Sequence, residues 1–341
     1  SGATAQLNGA SIAIIEGYSS IGPSAFSNAS SLTSIIIPKS VTSIGYYAFM
    51  NTTSLVLITI PASVTSIGIN AFQYATSLTS INVDQSNQYY KDIDGVLFDY
   101  SGATLIQYPV GNNTRTNYEI PASVTEIGTG AFNSAASLRT ITIPKGVTEI
   151  GGGAFSSATS LTSITIPKGV TEIGGGAFAY TTNLTSVIFE AGSQLESIGA
   201  GAFAYATSLT SITIPATVTS IGAGAFNNSG ITDVLYNEDI TMLVYYPPSL
   251  TADNFEIPTT VTSIGNHAFS NASSLTSITV KSGNNKYSSD NGVLFNKTGT
   301  ILIQYPVGND ATSYEIPANV ESIGDYAFQG ATSLTTVTFE A

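Results

Sequence analysis

An Ala-Phe pair recurs along the chain, mostly at intervals of 23 residues, and this period constrains the fold more than any other feature of the sequence. The pair closes a repeat of the form LxxIxIPxxVxxIGxxAF, which five small or polar residues follow. A single unit of this size cannot bury enough apolar surface to fold alone, so the period predicts a stack of repeats. Ten clear copies end at Phe26, Phe49, Phe72, Phe132, Phe155, Phe178, Phe203, Phe226, Phe269 and Phe328.

Three longer gaps between these phenylalanines each hold a divergent turn, beginning at Gly95, Val234 and Gly292. Adding them to the clear copies gives about thirteen turns. We therefore predict one solenoid over residues 1–341, with hairpin-like inserts near 84–118 and 281–314 and a degenerate turn near 231–256.

The first part of each repeat alternates between apolar and polar residues, as a half-buried strand does. In one copy, Leu161, Ile164 and Ile166 are expected to be buried, whereas Ser163 and Thr165 are expected to face solvent. The proline that follows cannot donate to a strand ladder, so it is expected to end the strand.

The second part of the repeat predicts another short apolar segment, whose side chains enter the core from the side opposite the first strand. Val170 and Ile173 form a short apolar segment, Gly174 allows a sharp turn, and Phe178 is expected at the centre of the coil. The sequence thus predicts a repeat solenoid that is mostly β, with parallel strands and short helical or 3-10 turns.

The charge composition excludes several classes of partner. Charged residues make up only 9% of the chain, and the net charge is −13, with 22 acidic residues against nine scattered Lys and Arg. Nucleic acids and anionic membrane surfaces require a basic stripe or patch, so we predict neither as a partner. No apolar run approaches the ~18 residues that span a bilayer, so we predict no membrane insertion. The opening residues, SGATAQLNGA, do not form a signal peptide.

Candidate catalytic and cofactor motifs are weak. The chain has no cysteine, which excludes thiol catalysis, disulfides and thiolate zinc sites. Gly151 to Gly153 follow Lys145, but a Walker A loop places lysine directly after its last glycine and then opens a helix. His267 is the single histidine and occupies a variable position of the repeat. We therefore predict that the protein is not an enzyme and has no cofactor.

The first insert also contains a possible calcium motif, since Asp92 and Asp94 precede a glycine in a DxDG pattern. The second insert has Ser289 and Asn291 at the matching positions. Asp or Asn directly before glycine is the signal for a tight hairpin turn with positive φ, so we favour a hairpin over a calcium loop.

The repeat LxxIxIPxxVxxIGxxAF resembles the leucine-rich repeats of the BspA-like surface proteins of bacteria and some parasitic protozoa. The NxxY, DGVLF and LIxYP motifs of the inserts resemble that family too, here at Asn87 to Tyr90, Asp94 to Phe98 and Leu105 to Pro109. The resemblance extends from about Ile12 to Phe339. One departure is systematic, because the cysteine that the family usually carries three residues after Phe is replaced here by Ala, Thr or Ser.

This resemblance implies a right-handed leucine-rich repeat coil in a secreted or surface-anchored protein, with family members acting as adhesins toward host matrix proteins, host cells or other bacteria. It brings no catalytic residues. We therefore expect a noncatalytic extracellular or cell-surface scaffold that binds an unknown macromolecule, a protein or a glycan. The alternative is a structural subunit of an extracellular stalk or head-to-tail filament, associating through its terminal repeats.

Two sets of residues are candidates for a binding face. Solvent-facing hydroxyls on successive strands predict a flat, weakly charged ladder, which suits a broad macromolecular contact and less well an ice-binding surface, since Ser alternates with Thr. Tyrosines in the inserts offer contact area with a polar tip. The candidate residues are Thr140, Thr142, Ser163, Thr165, Ser211, Thr213, Tyr89, Tyr90, Tyr108, Tyr287 and Tyr305.

Overall fold

A computed structural model describes residues 11–14 and 16–340. It is a parallel β-solenoid of about 14 turns, against the roughly thirteen predicted. Residues 1–10, Ile15 and Ala341 lie outside the described residues, and with them lie the opening segment and the predicted limits of the solenoid at 1 and 341.

The first face of the solenoid is built from the LTSITI segments, which pair in parallel and in register within groups of two to four strands. In one such group, Ser163 lies opposite Ser186 and Ile164 opposite Val187. Burial alternates as predicted: Ser163 and Thr165 are exposed, whereas Ile164 and Ile166 are buried. The first-face strands are Ile12–Ile14, Ser34–Ile36, Leu57–Ile60, Ser80–Val83, Asn117–Glu119, Thr140–Thr142, Ser163–Ile166, Ser186–Phe189, Asn254–Ile257, Ser277–Val280, Ser313–Ile316 and Thr336–Phe339.

The second face comes from the VxxIG segments and confirms the predicted second apolar segment. Most of its strands have two residues, and in most of these the isoleucine is buried, as Ile150 and Ile173 are, whereas Ile323 in the last one is 45% exposed. These strands are Ser20–Ile21, Ser43–Ile44, Ser66–Ile67, Thr104–Gln107, Glu126–Ile127, Glu149–Ile150, Glu172–Ile173, Ser197–Ile198, Ser220–Ile221, Met242–Tyr245, Ser263–Ile264, Ile301–Gln304 and Ser322–Ile323.

The GxxAFxx segments form a third hydrogen-bonded row between turns. The N–H groups of Gly153, Phe155 and Ser157 donate to carbonyls of the next turn at 2.7 to 2.8 Å, while Ala154 donates back to Gly151 at 3.1 Å. The described residues contain no α or 3-10 helix, so the predicted helical turns are wrong. The reason is that Gly153 and Ser157 have left-handed φ values of 60° and 59°, which interrupt any helical run.

Stacked aromatic rings fill the centre of the coil, as predicted for Phe178. The Phe155 ring lies 5.1 Å from that of Phe178, with the two planes only 10° apart. Offset stacking of this kind adds to the burial energy of the rings. In the divergent turns a tyrosine takes the place of Phe: the ring of Tyr108 lies 5.2 Å from Phe132, and that of Tyr305 lies 5.4 Å from Phe328.

Both predicted inserts are β-hairpins. The first joins Tyr90–Ile93 to Val96–Asp99, and the second joins Tyr287–Asp290 to Val293–Asn296, each in antiparallel register. The turn residues Asp94 and Gly95 have φ values of 52° and 77°, which confirms the predicted turn type. The degenerate turn also contains an antiparallel pair, in which Leu235–Tyr236 lies against Met242–Tyr245.

The NxxY motif attaches each insert to the preceding turn. The buried amide of Asn87 donates to the carbonyls of Pro61 and Val64 at 2.8 and 3.0 Å, and its oxygen accepts the N–H groups of Tyr89 and Tyr90. In the second insert, Asn284 makes the equivalent bonds. A buried amide with every group paired specifies a unique contact.

Small residues fill the position where the family usually has cysteine. Ala135, Ala158 and Ala206 are fully buried there. Thr52 and Thr181 are buried too, and their hydroxyls donate to the carbonyls of Phe49 and Phe178 at 2.8 and 2.7 Å. These carbonyls satisfy the threonine hydroxyls, whereas the buried hydroxyl of Ser229, at the same repeat position, has no hydrogen-bond partner.

Candidate functional site

The predicted hydroxyl face is exposed. Its six residues, Thr140, Thr142, Ser163, Thr165, Ser211 and Thr213, all lie at the surface of the first face. The ladder is less uniform than expected, because Thr165 lies opposite Ile188 and Thr142 lies opposite Glu119. Within it, the Thr140 hydroxyl donates to the Asn117 side chain at 2.7 Å.

The five candidate tyrosines occupy different environments. Tyr89 is 53% exposed, whereas Tyr90 and Tyr287 are half-buried. The Tyr90 hydroxyl accepts the N–H of Ile67 at 2.9 Å, which ties the insert to the second face. Burial raises the pKa of Tyr90, and this hydrogen bond partly opposes the shift.

Tyr108 and Tyr305 lie in the core, contrary to the exposed placement expected of a binding residue. Both belong to the LIxYP motif, and that motif places its tyrosine at the Phe position of the aromatic stack. Burial raises the pKa of both phenols, so they stay protonated at neutral pH. They stabilise the divergent turns and do not contribute to an exposed face.

A pair of exposed tyrosines was missed at the sequence level. The rings of Tyr180 and Tyr205 stack at 4.6 Å and 5°, and the two residues are 49% and 41% exposed. Each stands two residues after a template Phe in consecutive turns, so repeat position was the signal that could have found them. They present a rigid aromatic patch on the loop edge of the solenoid.

The second face carries a row of carboxylates that the sequence analysis also missed. Glu126, Glu149 and Glu172 lie opposite one another in consecutive strands, and all three occupy the same exposed repeat position. Partial burial raises the pKa of Glu149, and the charges of Glu126 and Glu172 raise it further. This glutamate row on the second face is therefore more acidic than the hydroxyl row on the first face.

The weaker sequence motifs have structural roles. The Asp92 carboxylate accepts the N–H of Val83 at 2.8 Å, and Ser289 does the same for Val280 at 3.1 Å in the second insert. His267 packs against Tyr326 with ring centroids 3.9 Å apart.

Among residues 11–14 and 16–340, no group of three or more His, Asp or Glu side chains is arranged to hold a metal ion. No helix in that part of the chain is long and apolar enough to cross a membrane.

The template glycine reflects close packing between consecutive turns, and at Gly151 and Gly174 it does not have a left-handed φ. A Cβ at Gly174 would lie 2.5 Å from the backbone nitrogen of Gly152 in the preceding turn, and one at Gly151 would lie 2.6 Å from that of Thr129. Real Cβ atoms do not approach backbone so closely, so only glycine lets consecutive turns pack here. This environment, with no helix after it, leaves the triple glycine without the geometry of a phosphate loop.

Comparison with known proteins agrees with this architecture. The sequence profile of the BspA type leucine rich repeat region, with six copies, matches residues 4–115, 107–232, 238–301 and 307–341. No curated protein matches the chain.

Solved structures of leucine-rich repeat proteins are similar as well. The pneumococcal vaccine antigen PcpA is 21% identical, with 97% of this chain and 67% of that chain covered and a TM-score of 0.50, and it shows the fold. A leucine rich cell surface protein from Faecalibacterium prausnitzii is 30% identical, with 65% of this chain and 58% of that chain covered and a TM-score of 0.45. A leucine-rich repeat protein from Bacteroides ovatus is 23% identical, with 96% and 78% coverage and a TM-score of 0.44. Since the family profile covers nearly the whole solenoid, the chain belongs to the BspA-type leucine-rich repeat family.

Proposed function

We propose that the protein is a noncatalytic, extracellular or cell-surface scaffold that binds a macromolecular partner, a protein or a glycan, and so mediates adhesion. The observation that carries this proposal is the first face, where exposed hydroxyls recur at the same position in consecutive strands over a rigid core. A broad, weakly charged face of this kind suits contact with another macromolecule over many turns. The stacked Tyr180 and Tyr205 add the type of side chain that is enriched at interfaces.

The test is a binding screen against extracellular matrix proteins and glycans, with variants of each face. Replacing Thr140, Ser163 and Thr165 together by lysine keeps the buried side of the strands and is expected to weaken binding by at least tenfold. The matched control places lysine at Thr148 and Thr219, which are exposed beside the second face. Equal loss in both variants, or no bound component in a broad panel, would contradict the proposal.

Head-to-tail assembly into a stalk or filament stays a prediction. Sedimentation over a concentration series checks it directly, and a strict monomer at the highest concentration would rule it out.

A further inference from the structure

A groove of about 480 Å³ opens on the first face between two successive turns. Its walls are the strand Ser186–Phe189 with the loop after it, and the segment 213–217 of the next turn. This volume falls within the roughly 300 to 1,000 Å³ of typical ligand clefts. The residues that matter for its chemistry are Ile188, Phe189, Glu190, Thr213, Pro215 and Glu238.

The groove coincides with an irregular repeat. Phe178 and Phe203 are 25 residues apart, two more than the usual period, and the extra residues fall in the exposed loop around Ala191 and Gly192. The same two turns remain in contact on the second face and in the core. Ser197 pairs with Ser220, and the Phe203 ring stacks on that of Phe226 at 5.3 Å. The opening is therefore confined to the first face.

A strand edge lines the groove. Ser186–Phe189 pairs with Ser163–Ile166 on one side, and the Glu190 N–H donates to the Ile166 carbonyl at 2.9 Å. In the described part of the chain, no backbone hydrogen bond or strand pair joins 186–189 to 211–214 across the groove. Because backbone groups alternate between the two edges of a strand, those of Val187 and Phe189 point into the opening.

Side chains around this edge define what would bind. Ile188 is 53% exposed at a position where the neighbouring repeat has Thr165, so the groove has an apolar contact in place of that hydroxyl. The carboxylates of the lining are Glu190 and Glu238, and it contains no basic residue. One oxygen of Glu190, which lines the groove, accepts the backbone N–H of Lys168 in the preceding turn at 3.1 Å, and this hydrogen bond restrains the carboxylate.

We propose that this groove binds an extended peptide segment with basic side chains, which adds as a strand to the free edge of Ser186–Phe189. The inference rests on the proposed function, since it names the kind of macromolecule that the scaffold would take. Main-chain pairing at an open edge supplies affinity, and side chains at alternate positions supply specificity. Lysine or arginine side chains of the segment would face Glu190 and Glu238.

The probe is a synthetic eight-residue peptide that alternates valine with lysine or threonine, compared with the same peptide carrying glutamate for lysine. Fluorescence anisotropy on the full chain is expected to show binding of the basic peptide and at least tenfold weaker binding of the acidic one. Glu238→Lys is expected to reduce this preference at least threefold. Equal binding of both peptides would overturn the charge assignment.

Two variants test the location. Ile188→Thr restores the residue of the regular repeat and is expected to weaken binding about fivefold. Ile36→Thr is the matched control, because Ile36 is an equally exposed isoleucine at the same repeat position of another first-face strand. Deleting Gly192 and Ser193 restores the usual spacing and is expected to close the groove and abolish binding, with circular dichroism confirming the fold.

An equal effect of Ile36→Thr, or undiminished binding after the deletion, would overturn the proposal. The two proposals fail in distinguishable ways. If the basic peptide does not bind while the screen against matrix proteins and glycans still yields a first-face partner, the groove is not a peptide site and the scaffold function stands.

Discussion

The three glycines of IGGGAF occupy three different environments, although the sequence writes them identically. A Cβ at Gly151 would meet backbone of the preceding turn at 2.6 Å, and one at Gly152 would meet the Gly175 carbonyl at 3.3 Å. A Cβ at Gly153 would make only an ordinary contact with Cβ of Ser156 at 3.9 Å, but this glycine has a φ of 60°. Other repeats hold Tyr47, Asn70, His267 and Tyr326 at this last position, all with positive φ. The left-handed conformation at the third position is therefore a common feature of these repeats, although the residue that adopts it varies.

Alanine substitutions distinguish the closely packed Gly151 from Gly153, whose backbone is left-handed. Gly153→Ala is expected to destabilise the protein by about 1 to 2 kcal/mol, the usual cost of a left-handed residue with a Cβ. Gly151→Ala is expected to cost more, on the order of 3 kcal/mol or above, because backbone of two turns must separate. Urea unfolding monitored by circular dichroism measures both. Equal costs for the two variants would refute this distinction.

At the scale of the element, parallel in-register pairing places like residues side by side. This favours the aromatic stack, but it also brings Glu126, Glu149 and Glu172 together on adjacent strands. The folded-state pKa of Glu149 is raised by partial burial and by its two neighbours, so the folded state binds this proton more tightly than the unfolded chain does. Ionisation of Glu149 therefore costs stability at pH values above the ordinary glutamate range, and the cost disappears below it.

Glu149→Gln is expected to stabilise the protein at pH 7 by about 0.2 to 1 kcal/mol, the range for like charges facing each other across strands. The difference from the parent is expected to vanish near pH 3, below the raised pKa of Glu149, where the Glu149 carboxyl is protonated, and to shrink at 1 M salt because of screening. Thermal unfolding at both pH values checks this. A stabilisation that persists unchanged at low pH would show that repulsion is not its cause.

At the scale of the whole molecule, the divergent turns divide the interior. Three strands are buried on both sides: Val96–Asp99, Met242–Tyr245 and Val293–Asn296. In the strand Val96–Asp99, Leu97 packs into the core of the preceding turns, while Phe98 packs into the core of the turns that follow. Leu294 packs into the preceding core as Leu97 does, whereas Leu243 packs into the following core, with Met242 and Val244 in the preceding one. The described residues thus form four consecutive hydrophobic cores.

This division predicts that a core defect stays local. Phe178→Ala removes a fully buried ring from the second core and is expected to cost about 3 to 5 kcal/mol. Because repeats are coupled mainly to their neighbours, amide hydrogen exchange is expected to accelerate between about 120 and 230 and to remain unchanged over 20–83. The conservative Phe178→Leu should produce the same pattern with smaller amplitude. Uniform acceleration along the chain would contradict the division.

Repeat period and strand alternation were sufficient to predict the solenoid, its two faces and both hairpins, because each depends on a local pattern. Packing between turns could not be derived in the same way. The burial of Tyr108 depends on which ring lies above it, and the left-handed state of Gly153 depends on where its N–H must point. The groove beside Phe189 depends on whether a longer loop bulges outward or opens the sheet. The 25-residue spacing of Phe178 and Phe203 identifies the irregular repeat, but it does not predict whether the loop bulges or the sheet opens.

The asparagines of the inserts bear on how such a repetitive chain avoids misassembly. The segment ITIPKGVTEIGGGAF occurs twice, from Ile141 and from Ile164, so a slip by one turn would replace each contact there with an equivalent one. The buried amide of Asn87 pairs with the carbonyls of Pro61 and Val64, and Asn284 pairs with those of Pro258 and Val261, which are the same two repeat positions. A shift of an insert by a few residues within its turn would leave this buried amide unpaired. The two asparagines thus fix the position within a turn at which each insert begins.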